Sequence, residues 1–213
     1  MDFDKQRARM VERQLRRRGI ADERVLAAMG TVPRELFVPK RSRPHAYRDG
    51  ALSIGHGQTI SQPWIVAAIC QALELGGDES VLEIGTGSGY SAAVLSLLAR
   101  EVMSVELVPE LAAAASEVLG TLGTRNVHIV EADGSGGLPG MGEFGGIAVH
   151  AAAPAPSEGL LAQLAPGARM VVPIALDDID MLTVFHRSPD GAEVTRSALA
   201  PARFVPLLGS DGF

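Results

Sequence analysis

Cysteine is almost absent: Cys70 stands alone in 213 residues. One thiol permits no intrachain disulfide, argues against a zinc–thiolate site, and points to a reducing compartment. Set in the apolar run WIVAAIC (64–70), it reads as a small core residue. No apolar run reaches about 18 residues, so no membrane span is expected. The opening MDFDKQRARM puts charges where a secretory leader needs an apolar stretch, and a cytoplasmic home is expected. The five histidines, at 45, 56, 128, 150 and 186, show no ligand spacing, and no metal is expected. Internal repeats and low-complexity tracts are missing as well. What remains, 46% hydrophobic and 21% charged, is the make-up of a soluble globular enzyme.

Charge is placed unevenly. Residues 1–48 carry a net +7, and the other 165 carry −13. The basic stretch KQRARMVERQLRRRG (5–19) reads as a solvated helix face, with Met10, Val11 and Leu15 docking it onto the body. An acidic body repels a phosphate backbone, so no nucleic-acid partner is expected.

Helices are expected over 5–18 and 22–30, broken at Arg18-Gly19, with Asp22 as an N-cap. Prolines at 33 and 39 disfavour a long element through VPRELFVP (32–39), and 40–61 reads as a covering loop. From Ser80 the rhythm changes. Apolar strands SVLEIG, VMSVEL, VHIVEAD, GIAVHAA and ARMVVPI alternate with helices over 86–99, 109–123 and 156–164. GSGGLPGMGEFGG (134–146) is a glycine-rich loop, and DMLTVFHR-S-PDG-AEVTRSAL (180–199) reads as an antiparallel hairpin. Strands apolar throughout and alternating with helices give an α/β fold: a doubly wound, mostly parallel seven-stranded sheet with helices on both faces. The C-terminal edge is antiparallel.

LEIGTGSGY (82–90) is the strongest local signal. Gly85, Gly87 and Gly89 form G-x-G-x-G where the first parallel strand ends, but the sixth position of a dinucleotide fingerprint is Tyr90 rather than glycine. Such a turn lets backbone N–H groups at a helix N-terminus approach a carboxylate as readily as a phosphate. Glu106, 17 residues after Gly89, is placed to accept from ribose hydroxyls. Asp133 in EADG is placed to accept from an adenine amine, and Glu83 to face the amino group of a methionine moiety. Three acids at consecutive strand ends beside one glycine turn favour an adenosyl cofactor. GHGQTISQP (55–63) displays Ser61 just before a helix, with no companion base in view.

These residues resemble a known family. VLEIGTGSGY with the acid of VEL and the pair ADG is similar to class I S-adenosylmethionine-dependent methyltransferases. GQTISQP, VPRELFVP and RFVPL (203–207) narrow the resemblance to the protein-L-isoaspartate O-methyltransferases, from about Val11 to Leu208. The resemblance implies one methyltransferase domain over 1–213. Residues 1–61 would be an appendage forming part of the substrate site, and 62–213 the cofactor-binding core. It implies S-adenosyl-L-methionine as cofactor, S-adenosyl-L-homocysteine as product, no metal, and isoaspartyl-containing proteins and peptides as partners of a monomer. It implies Ser61 as the catalytic serine, with Gln58, Thr59, Ile60, His150 and Ala151 toward the substrate. Glu83, Gly85, Thr86, Gly87, Ser88, Gly89, Glu106, Leu107, Asp133 and Gly134 would hold the cofactor. The ester formed would then break down through a succinimide without the enzyme, which is protein repair.

A substrate carboxylate is already ionised near pH 7, so such a reaction needs no base beside Ser61. Relatives show aspartate where this chain has Gly145, and often glycine where it has His150. Those departures are the support for an alternative enzyme dedicated to one peptide partner. The basic N-terminus is the support for a nucleic-acid methyltransferase, but the fourth strand ends in HAAAP without an Asn/Asp-Pro-Pro-Tyr motif. A cofactor-binding regulatory module without catalysis is disfavoured by the intact Ser61 loop.

Overall fold

The computed structural model describes all 213 residues. Helix α1, Phe3–Met10, is capped by Asp2, whose carboxylate accepts from the Lys5 N–H at 3.0 Å. It runs on through a widened turn, Val11–Leu15, and a tightened one, Arg16–Arg18, and stops at Gly19. The helix expected over 5–18 is therefore one rod of uneven pitch. Its apolar side is Met10 and Leu15, both fully buried. Helix α2, Glu23–Thr31, starts at Asp22, which accepts from the N–H groups of Arg24 and Val25. That is the chemistry that favours aspartate at an N-cap.

The covering segment holds more order than its polar sequence indicates. A 3-10 turn over Lys40–His45 leads to a small antiparallel hairpin, β1 Leu52–Gly55 and β2 Gln58–Ile60. Gly55, His56 and Gly57 turn it with φ of +96°, +52° and +73°. Three left-handed residues in succession are tolerable because two lack a Cβ. Strands this short carry too few alternations to show a period.

The large sheet comprises β3 Ser80–Ile84, β4 Glu101–Glu106, β5 Val127–Glu131, β6 Phe144–Val149, β7 Leu164–Ala175, β8 Asp180–Arg187 and β9 Val194–Ala202. Its order is β5-β4-β3-β6-β7-β8-β9, parallel as far as β7 and antiparallel beyond. Both the seven strands and the antiparallel edge match the expectation. Helices α3 Pro63–Ala72 and α5 Pro109–Thr121 each begin on a proline, where a missing N–H costs nothing. Helix α4, Tyr90–Leu95, follows the glycine turn, and α6, Glu158–Ala162, precedes β7. No helix is long and apolar enough to cross a membrane.

Alternating residues of the central strands feed two cores. Val81, Val102, Ala148 and Val171 join α1 to α4 in a cluster of 35 buried residues. Leu82, Ile84, Val105, Ile147 and Val149 join α6 and the C-terminal tail in a cluster of 16. Period-two alternation on a sheet covered on both faces produces this division. The first cluster also takes in Ile20, Val38, Tyr47 and Ile60, so the N-terminal segment is packed into the body of the protein.

The glycine-rich loop is shorter than expected, because Phe144, Gly145 and Gly146 already belong to β6. Gly145 has a packing reason. A Cβ there would lie 2.7 Å from Cγ and 2.8 Å from Cβ of Glu79. The Glu79 carboxylate is committed to the N–H groups of Gly76 and Gly77, each at 2.7 Å. Gly145→Asp should therefore lower stability by about 1–3 kcal/mol, the usual cost of overpacking. Thermal melting should show a drop of roughly 2–10 °C. An unchanged melting temperature would contradict the packing argument.

Candidate functional site

Strand order reverses beside β3: the chain steps outward to β4 and β5, then crosses back to β6 and β7. At such a reversal the connections at the carboxyl edge diverge and leave a crevice. A cleft of about 840 Å³ lies there, open to solvent. It is lined by the ends of β3, β4 and β6, the β2–α3 junction, and the tail Val205–Leu208.

Most of the expected residues meet in this cleft. Gln58, Thr59, Ile60 and Ser61 form one wall, Gly85, Thr86, Gly87 and Ser88 the floor, and Glu106, Leu107 and Gly134 the far side. His150 and Ala151 follow β6 into it. Glu83, Gly89 and Asp133 do not line it. Gly89 packs α4 against α5: a Cβ there would stand 3.1 Å from that of Ala115.

The glycine turn is more self-contained than its sequence implies. The Gly85 and Thr86 N–H groups bond to the Val105 carbonyl at 2.9 and 3.2 Å, and the Gly89 N–H to Thr86 O at 2.8 Å. The Gly87 N–H donates to Oε2 of Glu106 at 2.7 Å, while Oε1 accepts from Val108 at 3.0 Å. The turn thus orients Glu106 by backbone donors at the end of β4. A carboxylate fixed at the rim of a cleft with apolar walls, Ile84, Val105, Val108 and Ala132, fits an adenosyl group with its ribose hydroxyls.

Glu83 lies beneath the floor with no exposed side-chain surface. It shares a sheet face with Ser104, its register partner on β4. Ser104 donates to Oε2 at 2.5 Å and meets Thr86 Oγ1 at 2.6 Å. Oε1 has no hydrogen-bond partner, although His150 Nε2 stands 3.2 Å away. Asp133 is turned to the tail instead. Its Oδ1 accepts from the N–H and hydroxyl of Ser135, and its Oδ2 from the Ser210 N–H at 2.8 Å. The Ser135 hydroxyl first, then the Ser210 N–H, holds this carboxyl low, at about 2.

Arg34 is a residue the sequence reading missed. It is fully buried within VPRELFVP, donating from Nε to Ala46 O at 2.8 Å and from Nη2 to Ser61 O at 2.6 Å. Its guanidinium lies 4.7 Å from the centre of the Tyr90 ring. Burial pushes its pKa down, opposed by the neighbouring Tyr90. Ser61 is thereby tied by its carbonyl, while its side chain borders the cleft. Two adjacent charged residues, Arg34 and Glu35, in an otherwise apolar stretch between two prolines were the available signal. The tail was missed too: the Ala152 N–H donates to Val205 O at 2.8 Å and the Leu207 N–H to Ala152 O at 2.7 Å, placing Val205–Leu208 as a wall of the cleft.

A second chamber adjoins the first. It is lined by Ala51, Gln62, Ile65, Ala202, Arg203 and Phe204, and it shares Thr59, Ser61, His150 and Val205 with the main cleft. Those four residues form a neck between two chambers.

The Asp133 contacts make two measurable expectations. Asp133→Ala should free the tail, raising hydrogen exchange at Leu207 and Phe213 and weakening cofactor binding severalfold. Weaker binding with unchanged exchange would mean that Asp133 acts on the ligand directly. Because this carboxyl is depressed from 3.8 to about 2, its contribution is present above about pH 4 and lost as pH falls through about 2. Protection factors of the tail amides, taken relative to the intrinsic exchange rate at each pH from 5 down to 2, should fall toward the low end in the parent protein and stay low throughout in Asp133→Ala.

The family model for protein-L-isoaspartate(D-aspartate) O-methyltransferase matches residues 5–212. The chain is 49% identical to protein-L-isoaspartate O-methyltransferase 2 of Marinobacter nauticus, over the whole chain and 97% of that protein. It is 47% identical to protein-L-isoaspartate O-methyltransferase 1 of Rhodopseudomonas palustris, over 99% of this chain and 86% of that one. A solved protein-L-isoaspartate O-methyltransferase superposes with a TM-score of 0.85 at 28% identity, covering 97% of this chain and 67% of its own. The fold is also that of a Plasmodium falciparum structure, solved with S-adenosyl-L-homocysteine, at a TM-score of 0.80 and 24% identity, covering 95% of this chain and 98% of that one. With the match running almost end to end, this chain belongs to the protein-L-isoaspartate(D-aspartate) O-methyltransferase family.

Proposed function

We propose that the protein transfers a methyl group from S-adenosyl-L-methionine to the free carboxylate of L-isoaspartyl residues in damaged proteins and peptides. The carrying observation is the neck: Thr59, Ser61, His150 and Val205 border both the cleft beside the glycine turn and the second chamber. The second chamber adds one cation, Arg203, which suits an anionic guest. Family membership supplies the substrate class.

S-adenosyl-L-methionine, when bound, supplies an electrophilic methyl group on its sulfonium. Glu106, Gly134 and the apolar walls would hold its adenosyl part. Ser61 donates its hydroxyl to the substrate carboxylate and aims it through the neck. That carboxylate is the nucleophile and is ionised at neutral pH, so no residue has to remove a proton. The protein's work is orientation and exclusion of water, a contribution of roughly 7–11 kcal/mol in favourable cases. Arg34 keeps the loop in place by holding the Ser61 carbonyl. We read the chain as one domain whose segment 1–61 completes the substrate side, acting as a monomer in the cytoplasm. The free, buried Cys70 supports a reducing compartment.

Incubation with labelled S-adenosyl-L-methionine and matched peptides should give a base-labile methyl ester on the isoaspartyl peptide alone. Equal labelling of the aspartyl peptide, or no label, would sink the proposal. Ser61→Ala should lower kcat/KM for the peptide by about 10–100-fold, the worth of a hydrogen bond to a charged group. Cofactor affinity, measured by calorimetry, should change by less than about twofold. Loss of cofactor binding would place the Ser61 loop in the wrong site.

A further inference from the structure

His150 stands on the neck, and its surroundings assign its two ring nitrogens different tasks. The side chain is 9% exposed and follows β6 on the same sheet face as Glu83 and Ser104. Its backbone N–H bonds to Ile84 O at 2.9 Å, which sets where the ring enters. Nε2 is turned inward, 2.8 Å from Ser91 Oγ and 3.2 Å from Oε1 of the fully buried Glu83. That oxygen has no hydrogen-bond partner, and His150 is the one basic group within reach of it. A buried carboxylate oxygen facing a bare ring lone pair is strongly unfavourable, so Nε2 keeps its proton. Nδ1 is left with no protein partner, on a ring that borders both chambers.

The geometry points to His150 as a further substrate-binding residue of this enzyme, its Nδ1–H donated to the carboxylate of the isoaspartyl residue while Glu83 holds the ring from behind. This role rests on the proposed reaction and adds a proton-dependent hold to it. The imidazolium and the Glu83 carboxylate together carry no net charge, so a sulfonium in the adjoining cleft is not repelled. Of the other groups around the ring, Glu106 on β4 is occupied by its two backbone donors. Burial pushes Tyr90 of α4 up to about 12, and pushes up Cys70 of α3, which lies near Glu83. Neither gains charge in the working range. Arg203 shares the second chamber and favours the same anion at every pH. That leaves the imidazole as the ionisable group on the neck through which proton concentration can act on substrate hold.

The test is the peptide KM across pH 5.5–8.5, with the cofactor saturating and an isoaspartyl hexapeptide as substrate. In the parent protein KM should rise about tenfold as pH increases, with kcat changing by less than about twofold. His150→Gln should show the high KM at every pH, a flat profile and unaltered cofactor affinity by calorimetry. Glu83→Gln removes the anion that favours the imidazolium, so its KM midpoint should move to lower pH. A flat KM profile in the parent enzyme, or a pH-dependent one in His150→Gln, overturns the role of His150 while normal methylation leaves the reaction intact. A parent protein that forms no ester on the isoaspartyl peptide overturns the reaction, and this role with it.

Discussion

A parallel sheet that grows outward from one strand in both directions must send its connections apart at the carboxyl edge. In this protein the parting falls between β3 and β6, and everything chemical is gathered there. The glycine turn leaves β3, Glu106 ends β4 and His150 follows β6. The N-terminal segment and the C-terminal tail are both drawn to the same opening. One supplies the Gln58–Ser61 wall and the other the Val205–Leu208 wall. The sheet makes the crevice, and the two ends of the chain make it a site.

Each wall is tied down by a buried or backbone-bonded polar group. Arg34 holds Ser61 through its carbonyl while resting over Tyr90, so the serine loop is joined to the first turn of the helix above the cofactor cleft. Asp133 holds Ser210 and, through Ser135, the N–H of Asp211, so the tail is latched to the end of β5. Glu83 and Ser104 lie under the floor, with Thr86 beside them. Buried polar groups of this kind are costly unless partnered, and here the partners are the pieces that must be kept in place. Stability and alignment of the reacting groups are achieved by the same contacts.

The two departures from the family's usual pattern are both packing facts at the edge of β3. Gly145 leaves space for Glu79, which closes the turn before β3. His150 takes the space over Gly85 and brings a titratable ring against Glu83. Read from sequence, they support an enzyme dedicated to one peptide partner. In three dimensions, one is compensated by a neighbour and the other adds a polar group to the neck.

Strand and helix rhythm, the parallel sheet with its antiparallel edge, the cleft-lining glycines, Glu106 and the Ser61 loop were legible from the residues alone. They depend on local periodicity and on turns of a few residues, which the chain writes in order. The direction of each side chain was not legible. Glu83 and Asp133 sit at strand ends as expected, yet one faces a buried serine and the other a tail some 77 positions further along. Arg34 and Ser61 are 27 residues apart, and His150 and Ser91 are 59 apart. Contacts across such distances are chosen by which sheet face a residue occupies and which segment folds over it. Sequence determined the parts and their order. Only the tertiary packing decided which polar groups meet, because a buried polar group bonds with whatever partner the fold sets beside it.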